Sequence, residues 1–200
     1  MPVPNTHSAS IPAIIAHRGA SRVCRENTLP AFERALAMAV DGIELDVHAT
    51  RDGVLVVHHD PTLPVVRDGV LSVVPIAQLT AAEVGAYRLP SGDTVPTLAQ
   101  VCELVGNRAV LYVEVKAAKA EELVATLLST YPGVHSAVHA FDHRIPVAVR
   151  ALRPSTPIGL LSASYPLDLR GVLGGSGASV FWQHAELIDA PLIAAAHALG

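Results

Sequence analysis

Short apolar runs alternate along this chain with longer segments in which apolar residues recur at helical spacing. The short runs are rich in Val, Ile, Leu and Ala, which is typical of parallel strands buried on both faces. The helical segments begin after good N-cap residues, as at Thr28 and Thr97. This alternation predicts an α/β fold, a TIM-type (β/α) barrel with about six of eight strands, lacking the last two. The six strands are predicted at residues 13–16, 42–47, 110–115, 138–141, 158–161 and 179–182.

One pair of predicted strands is antiparallel. The strand at 42–47 is followed by a shorter one at 54–58, and the tetrapeptide RDGV at 51–54 is a hairpin signal. If its two central residues form the turn, Asp46 is expected opposite His59. Cross-strand partners lie roughly 4.5–5.5 Å apart, so this register predicts a carboxylate and an imidazole side by side.

The chain divides into a tail and one domain. Residues 1–12 are predicted to be an N-terminal tail, and residues 13–200 a barrel domain that is C-terminally incomplete. Residues 60–96 are interrupted by Pro and are predicted to form a long loop or small insertion over one end of the fold. The first and last strands of a six-stranded sheet each have an unpaired side, and both are apolar here. We therefore expect self-association through the open barrel edges.

Composition and charge argue against several classes of protein. Half of the 200 residues are apolar and 16% are charged, which provides ample material for a buried core. The net charge of −4, without clustered Lys and Arg, argues against a nucleic-acid or anionic-membrane surface. There is no run of eighteen apolar residues and therefore no predicted membrane span. The N-terminus lacks a signal-peptide pattern, and Cys24 and Cys102 match no metal or redox spacing, so a cytoplasmic protein with reduced cysteines is expected.

Acidic residues lie where the predicted strands end, which is the catalytic face of an α/β barrel. Glu44 and Asp46 are two positions apart and therefore share one face of their strand. Glu114 is flanked by two valines in another buried strand. Three carboxylates without Cys form a hard oxygen site, which suits Mg²⁺ or Ca²⁺. The alternative is that each carboxylate is separately neutralised by a salt bridge.

Two long segments resemble a known family. The run HRGASRVCRENTLPAFERAL and the later run GIELDVHATRDGVLVVHHDPTL are similar to the signature of the glycerophosphodiester phosphodiesterases. LYVEVK, VHAF with the Asp that follows it, and PIGLL resemble the family's subsequent barrel strands. The resemblance covers about residues 13–199, and the family normally continues with two further strands.

The resemblance implies a role for each matched residue. It implies that His17 and His59 are an acid–base pair. It implies that the metal is bound by carboxylates, which are Glu44, Asp46 and Glu114. The implied phosphate-binding cations are Arg18 and Lys116. The implied cofactor is one divalent cation, Mg²⁺ or Ca²⁺. Glu26 matches a family position near the metal, with a less definite role. His184 follows the last predicted strand and is a candidate substrate contact.

The remaining histidines are interpreted as having no chemical role. His58 should point away from its neighbour His59, as a supporting or outer-face residue. Trp182 is interpreted as a packing residue. The other positions are interpreted as surface or loop residues, and they are His48, His135, His139, His143 and His197.

The implied activity is metal-dependent hydrolysis of a small-molecule glycerophosphodiester to sn-glycerol 3-phosphate and an alcohol. A phosphodiester is an anion that repels nucleophiles, so a metal and basic side chains must offset its charge. Histidine can both accept and donate the protons that such a reaction transfers. Two alternatives stay open. The same site could act on lysophospholipids, or the chain could be a non-catalytic or fragmentary barrel that binds phosphodiesters or partners.

Overall fold

The computed structural model describes residues 12–67 and 69–200, so the predicted tail lies almost entirely outside the described residues. The secondary-structure elements alternate much as expected. In chain order they are β1 (Ile15–His17), α1 (Leu29–Ala37), β2 (Gly42–Ala49), β3 (Leu55–Val57), β4 (Thr62–Arg67), β5 (Val70–Pro75), a 3₁₀ helix (Ile76–Gln78), α2 (Ala81–Ala86), α3 (Leu98–Val105), β6 (Val110–Val115), α4 (Glu121–Thr130), β7 (Ser136–Ala140), α5 (Arg144–Leu152), β8 (Ile158–Ser162), α6 (Leu169–Leu173), β9 (Val180–Gln183), a 3₁₀ helix (Ala185–Leu187) and α7 (Ala190–His197).

Six parallel strands form one curled sheet in the order β1-β2-β6-β7-β8-β9, with helices in the connections. This half-barrel confirms the predicted α/β class and the predicted number of barrel strands. Among the described residues, β1 pairs only with β2, and β9 pairs only with β8. The sheet therefore has two open edges. The register aligns His17 with Glu44 and Asp46 with Glu114, so polar residues of adjacent strands lie side by side.

The main core lies between the outer face of the sheet and the helices. Strands β2 and β6 alternate, so that Ile43, Leu45 and Val113 are fully buried in this core while the residues between them face inward. The helices expected after Thr28 and Thr97 start at those residues, as α1 and α3. The Thr28 hydroxyl accepts a hydrogen bond from Ala31 N at the start of α1. These caps satisfy backbone donors that a helix start otherwise leaves unpaired.

Two aromatic rings fill the inner face of the sheet below the polar residues. Tyr112 and Trp182 meet edge to face, with ring centroids 5.4 Å apart. Glycines make room for both rings. A Cβ at Gly42 would lie 2.5 Å from the Tyr112 ring, and a Cβ at Gly159 would lie 2.6 Å from Trp182 Nε1. Trp182 is thus half-buried and packs against Tyr112 on this face, in keeping with its interpretation as a packing residue.

The β2–β3 hairpin differs by one residue from the predicted register. Thr50 pairs with Val54 through a 2.9 Å backbone hydrogen bond, so the loop has three residues instead of two. Gly53 occupies the left-handed region at φ +78°, as this loop type requires. His58 N consequently donates to Asp46 O at 3.0 Å. The expected pairing of Asp46 with His59 is therefore wrong, because the Thr50 hydroxyl also accepts from Val54 N and closes the longer loop.

Residues 60–96 contain a β-ribbon that the sequence does not predict, and a brief helix that the N-cap residue Thr80 does predict. Strands β4 and β5 form a two-stranded antiparallel ribbon, and α2 follows with Thr80 in a capping box. One face of the ribbon covers a second apolar cluster beside the barrel core. Its buried members are Val56, Leu63, Ile76, Leu79, Val84, Leu89 and Val95.

Candidate active site

The carboxyl ends of β1, β2 and β6 bring most of the expected polar residues together. Asp46 is fully buried at the centre of this group. Its carboxylate lies 3.1 Å from Arg18 Nε and 3.2 Å from Lys116 Nζ, and it accepts a 2.8 Å hydrogen bond from Asn27 Nδ2. Burial acts to raise the pKa of Asp46, but the Asn27 hydrogen bond and the two cations outweigh burial and lower it. Asp46 is therefore held as a carboxylate.

Lys116 bridges two acids. Its ammonium lies 2.9 Å from Glu114 Oε1 as well as beside Asp46. Burial opposes the charged form, yet the hydrogen bond to Glu114 and the two carboxylate charges raise the pKa of Lys116 overall. Arg18 is shared in the same way, because its Nη1 lies 3.2 Å from Glu26 Oε2. Both predicted phosphate-binding residues are thus cations that already stand at the mouth of the site.

A second group of ligand-type residues lies next to Asp46. One ligand atom each from Glu44, Glu114 and His139 lies within 4.8 Å of the others, and all three residues are buried. The structure thus brings together two of the three predicted metal carboxylates, places Asp46 among the cations, and adds an imidazole. The donor set fits a divalent cation, since two carboxylates and the imidazole of a buried histidine converge there.

The two histidines of the predicted acid–base pair are both accessible. His17 is at the end of β1, with its side chain 69% exposed and Nε2 3.8 Å from Glu44 Oε2. His59 follows β3, with its side chain 38% exposed and Nδ1 2.9 Å from Asp60 Oδ1. A buried imidazole supports the second of them, because His48 Nε2 lies 3.2 Å from the carbonyl oxygen of His59. These accessible side chains can exchange protons with a bound substrate.

Several interpretations of the other residues need correction. His48 and His139 were expected at the surface, but they are 7% and 2% exposed. Both lie on barrel strands between apolar residues, which is the pattern that identified Glu114 as a buried acid. His58 is also buried, and burial lowers its pKa. Asn27, in the left-handed region at φ 56°, was missed although it belongs to the ENT segment of the quoted signature.

The more peripheral candidates have simple environments. Glu26 pairs with Arg18 and lies half-buried at the rim of the site. His184 is exposed directly after β9, and its backbone N donates to Ser162 O at 3.0 Å. His143 Nε2 lies 2.8 Å from the carbonyl oxygen of Leu161, so this ring already has a hydrogen-bond partner within the fold.

None of the helices among the described residues has the length and apolar character that a membrane span requires.

This chain is similar to known phosphodiesterases in sequence and in fold. The chain is 34% identical over 169 residues to a glycerophosphodiester phosphodiesterase of Caldanaerobacter subterraneus, covering 74% of this chain and 65% of that one. It thus spans less than two thirds of the length of that relative. A putative glycerophosphoryl diester phosphodiesterase from Silicibacter pomeroyi superposes with a TM-score of 0.80 at 27% identity, over 95% of this chain and 82% of the other. An Oleispira antarctica phosphodiesterase, solved in complex with the product sn-glycerol-3-phosphate, shares the fold at 23% identity and a TM-score of 0.85, over the same shares.

The match to the family extends over nearly the whole described chain. The family model of the glycerophosphoryl diester phosphodiesterases matches residues 17–198. That range runs from the first polar residue at the end of β1 to the end of α7, and it includes every acid, histidine and basic residue of the site. The chain belongs to the glycerophosphoryl diester phosphodiesterase family.

Proposed function

We propose that this chain hydrolyses glycerophosphodiesters to sn-glycerol 3-phosphate and an alcohol with the help of one divalent cation. The observation that carries the proposal is the convergence of buried carboxylates with two accessible histidines at the ends of parallel strands. The 34% identical Caldanaerobacter relative bears the name of this activity. The two free cysteines are consistent with the cytoplasmic location expected from the sequence.

The cation would be held by Glu44, Asp46 and Glu114. When bound, it would offset the negative charge of the phosphodiester. Carboxylates alone would take Mg²⁺ or Ca²⁺. Lys116 touches both Asp46 and Glu114 and supplies positive charge that these buried acids need. From this position at the rim of the site, the Lys116 ammonium would also contact a phosphate oxygen of the bound substrate.

The protons would be moved by His17 and His59. One of them accepts the proton of the attacking oxygen, and the other donates a proton to the leaving alcohol oxygen. Their exposure supports this assignment, since the side chains of His48, His58 and His139 are buried. Arg18 would bind a phosphate oxygen, exchanging part of its contact with Glu26 for the new anion.

The test is turnover of glycerophosphocholine by the purified chain with added divalent metal. Formation of choline and glycerol 3-phosphate, identified by mass spectrometry, is the expected result. Phosphocholine and glycerol as products would place cleavage on the other side of the phosphorus and contradict the proposal. Binding of glycerophosphocholine without any turnover would favour the alternative of a non-catalytic phosphodiester-binding barrel.

A second candidate substrate class is favoured by the β4–β5 ribbon. The face turned away from the core carries cross-strand apolar residues that are largely exposed, with Val66, Leu71 and Val73 at 66–69%. The ribbon begins at Thr62, three residues after His59. Such an exposed apolar surface, on a ribbon that continues from the His59 segment, suits the acyl chain of a lysophospholipid. Replacing Val66 and Val73 together by Ser should then slow hydrolysis of lysophosphatidylcholine but not of glycerophosphocholine, and equal effects on both would exclude this candidate.

A further inference from the structure

His139 lies in line with the acids of the site. It is on β7, directly paired in register with Glu114 on β6, and Glu44 is on the neighbouring β2. One ligand atom of each residue lies within 4.8 Å of the other two. Two metal–ligand bonds of roughly 2.0–2.2 Å each nearly span that separation. A single cation therefore fits among these three side chains after a small contraction.

The imidazole of His139 is buried but makes no hydrogen bond to any residue that the structure describes. Nδ1 is buried without a partner, and Nε2 lies 3.9 Å from Glu44 Oε1, which is beyond hydrogen-bonding distance. The ring is oriented by stacking on Trp182, with centroids 5.1 Å apart and 27° between the planes. A buried polar group without a partner is costly. Stacking thus holds Nε2 toward the acids, where a bound cation would give this nitrogen the partner that no hydrogen bond supplies.

We propose that His139 is a nitrogen ligand of the cation bound by Glu44 and Glu114, and that the site therefore prefers Co²⁺ or Zn²⁺ to Mg²⁺ or Ca²⁺. The inference depends on the proposed function only in requiring that a cation binds here. Imidazole nitrogen suits Zn²⁺ and the later transition metals, whereas Mg²⁺ and Ca²⁺ take oxygen ligands. The competing explanation is a His139 ring that packs on Trp182 and binds no cation.

Metal binding to the chelator-treated chain separates these explanations without any activity assay. Calorimetric titration with Co²⁺ and with Ca²⁺ is compared for the wild type, His139→Gln and His135→Gln. His135 is exposed just before the same strand and serves as the matched control. We expect His139→Gln to lose at least about tenfold in Co²⁺ affinity, since even indirect contacts to a metal contribute that much, while Ca²⁺ affinity changes by less than about threefold. The visible spectrum of bound Co²⁺ should change with His139→Gln and not with the control.

Each other outcome has a definite meaning. If Glu44→Gln abolishes binding of both ions while His139→Gln alters neither, the inference is overturned and the proposed metal site stands. If neither ion binds the wild type, the His139 inference and the proposed metal site are both overturned. Circular dichroism shows whether His139→Gln folds. If it does not, pulsed electron paramagnetic resonance of Mn²⁺ bound to the His17→Gln variant tests the inference instead. The His17→Gln change removes the nearby imidazole of His17, which could otherwise contribute a nitrogen signal. Nitrogen-14 coupling from a bound imidazole then supports the inference, and its absence overturns it.

Discussion

Replacement of Asp46 by Asn should destabilise the metal-free protein, although it removes one of several clustered negative charges. The carboxylate is fully buried and is in contact with Arg18, Lys116 and Asn27. Asn has nearly the same shape but only one acceptor oxygen. If that oxygen keeps the hydrogen bond from Asn27, the new NH₂ group faces the two cations.

The expected loss follows from how well each cation keeps its charge paired. Removing one partner of a buried ion pair typically costs about 3–5 kcal/mol. Here Arg18 retains Glu26, and Lys116 retains Glu114. Both cations are also about one fifth exposed, so water compensates part of the loss. We therefore expect a decrease of about 2–3 kcal/mol in the free energy of unfolding.

Urea unfolding in excess chelator, followed by far-ultraviolet circular dichroism, measures this difference. The matched control is Asp142→Asn at the same end of the sheet, where the acid pairs with the largely exposed Arg144. That change should cost clearly less than Asp46→Asn, because exposed ion pairs contribute little to stability. A loss for Asp46→Asn no larger than for the control, or a gain in stability, would refute the view that Asp46 is the hub of this ion-pair network.

The remaining predictions concern the metal, the histidines, pH and the sheet edges. Excess chelator should abolish turnover and an added divalent cation should restore it, so full activity with metal content confirmed as nil would contradict the metal site. His17→Ala and His59→Ala should each lower turnover roughly 10²–10⁴-fold, with His135→Ala as the unaffected control, and an unchanged His59 variant would reassign the pair. Burial lowers the pKa of His48 below its usual 6.5, so the unfolded chain binds a proton that the folded chain resists. The contribution of neutral His48 to the free energy of unfolding is complete above about pH 6.5, and it is lost as the pH falls toward the lowered pKa of the folded state. The His48→Gln variant should therefore show a flatter dependence of stability on pH in this range. Open edges at β1 and β9 predict dimers or larger species in gel filtration with slowed hydrogen exchange in these strands, whereas a monomer with both strands strongly protected would contradict association.

The strands and the acids of the inner face follow from sequence patterns alone. All six parallel strands are close to their predicted positions, because buried parallel strands leave continuous apolar runs that few other structures produce. Glu44, Asp46 and Glu114 stand out since charged residues interrupt those runs at a spacing of two. His139 gives a weaker signal, because a lone histidine in such a run is compatible with several environments. Its position beside Glu44 depends on the order of strands that are distant along the chain.

The tetrapeptide RDGV shows where local sequence stops being sufficient. At 51–54 it belongs to a three-residue loop, whereas at 67–70 Arg67 pairs directly with Val70 across two residues. The first loop is held by contacts with a distant part of the chain, since Ala81 N donates to Asp52 Oδ1 and Arg51 N donates to Leu79 O. Those contacts exist only once the ribbon and α2 have packed beside the barrel.

The sequence by itself determined the α/β class, the inner-face acids and the family, because these depend on short-range periodicity and on contiguous motifs. Only the tertiary structure decided which partners the acids have. It placed Asp46 between two cations and brought His139, instead of Asp46, into the cluster with Glu44 and Glu114. The physical reason is that a buried charge takes whichever opposite charge or ligand the neighbouring strands place within a few ångströms. Strand order and register, which no local pattern contains, decide that choice.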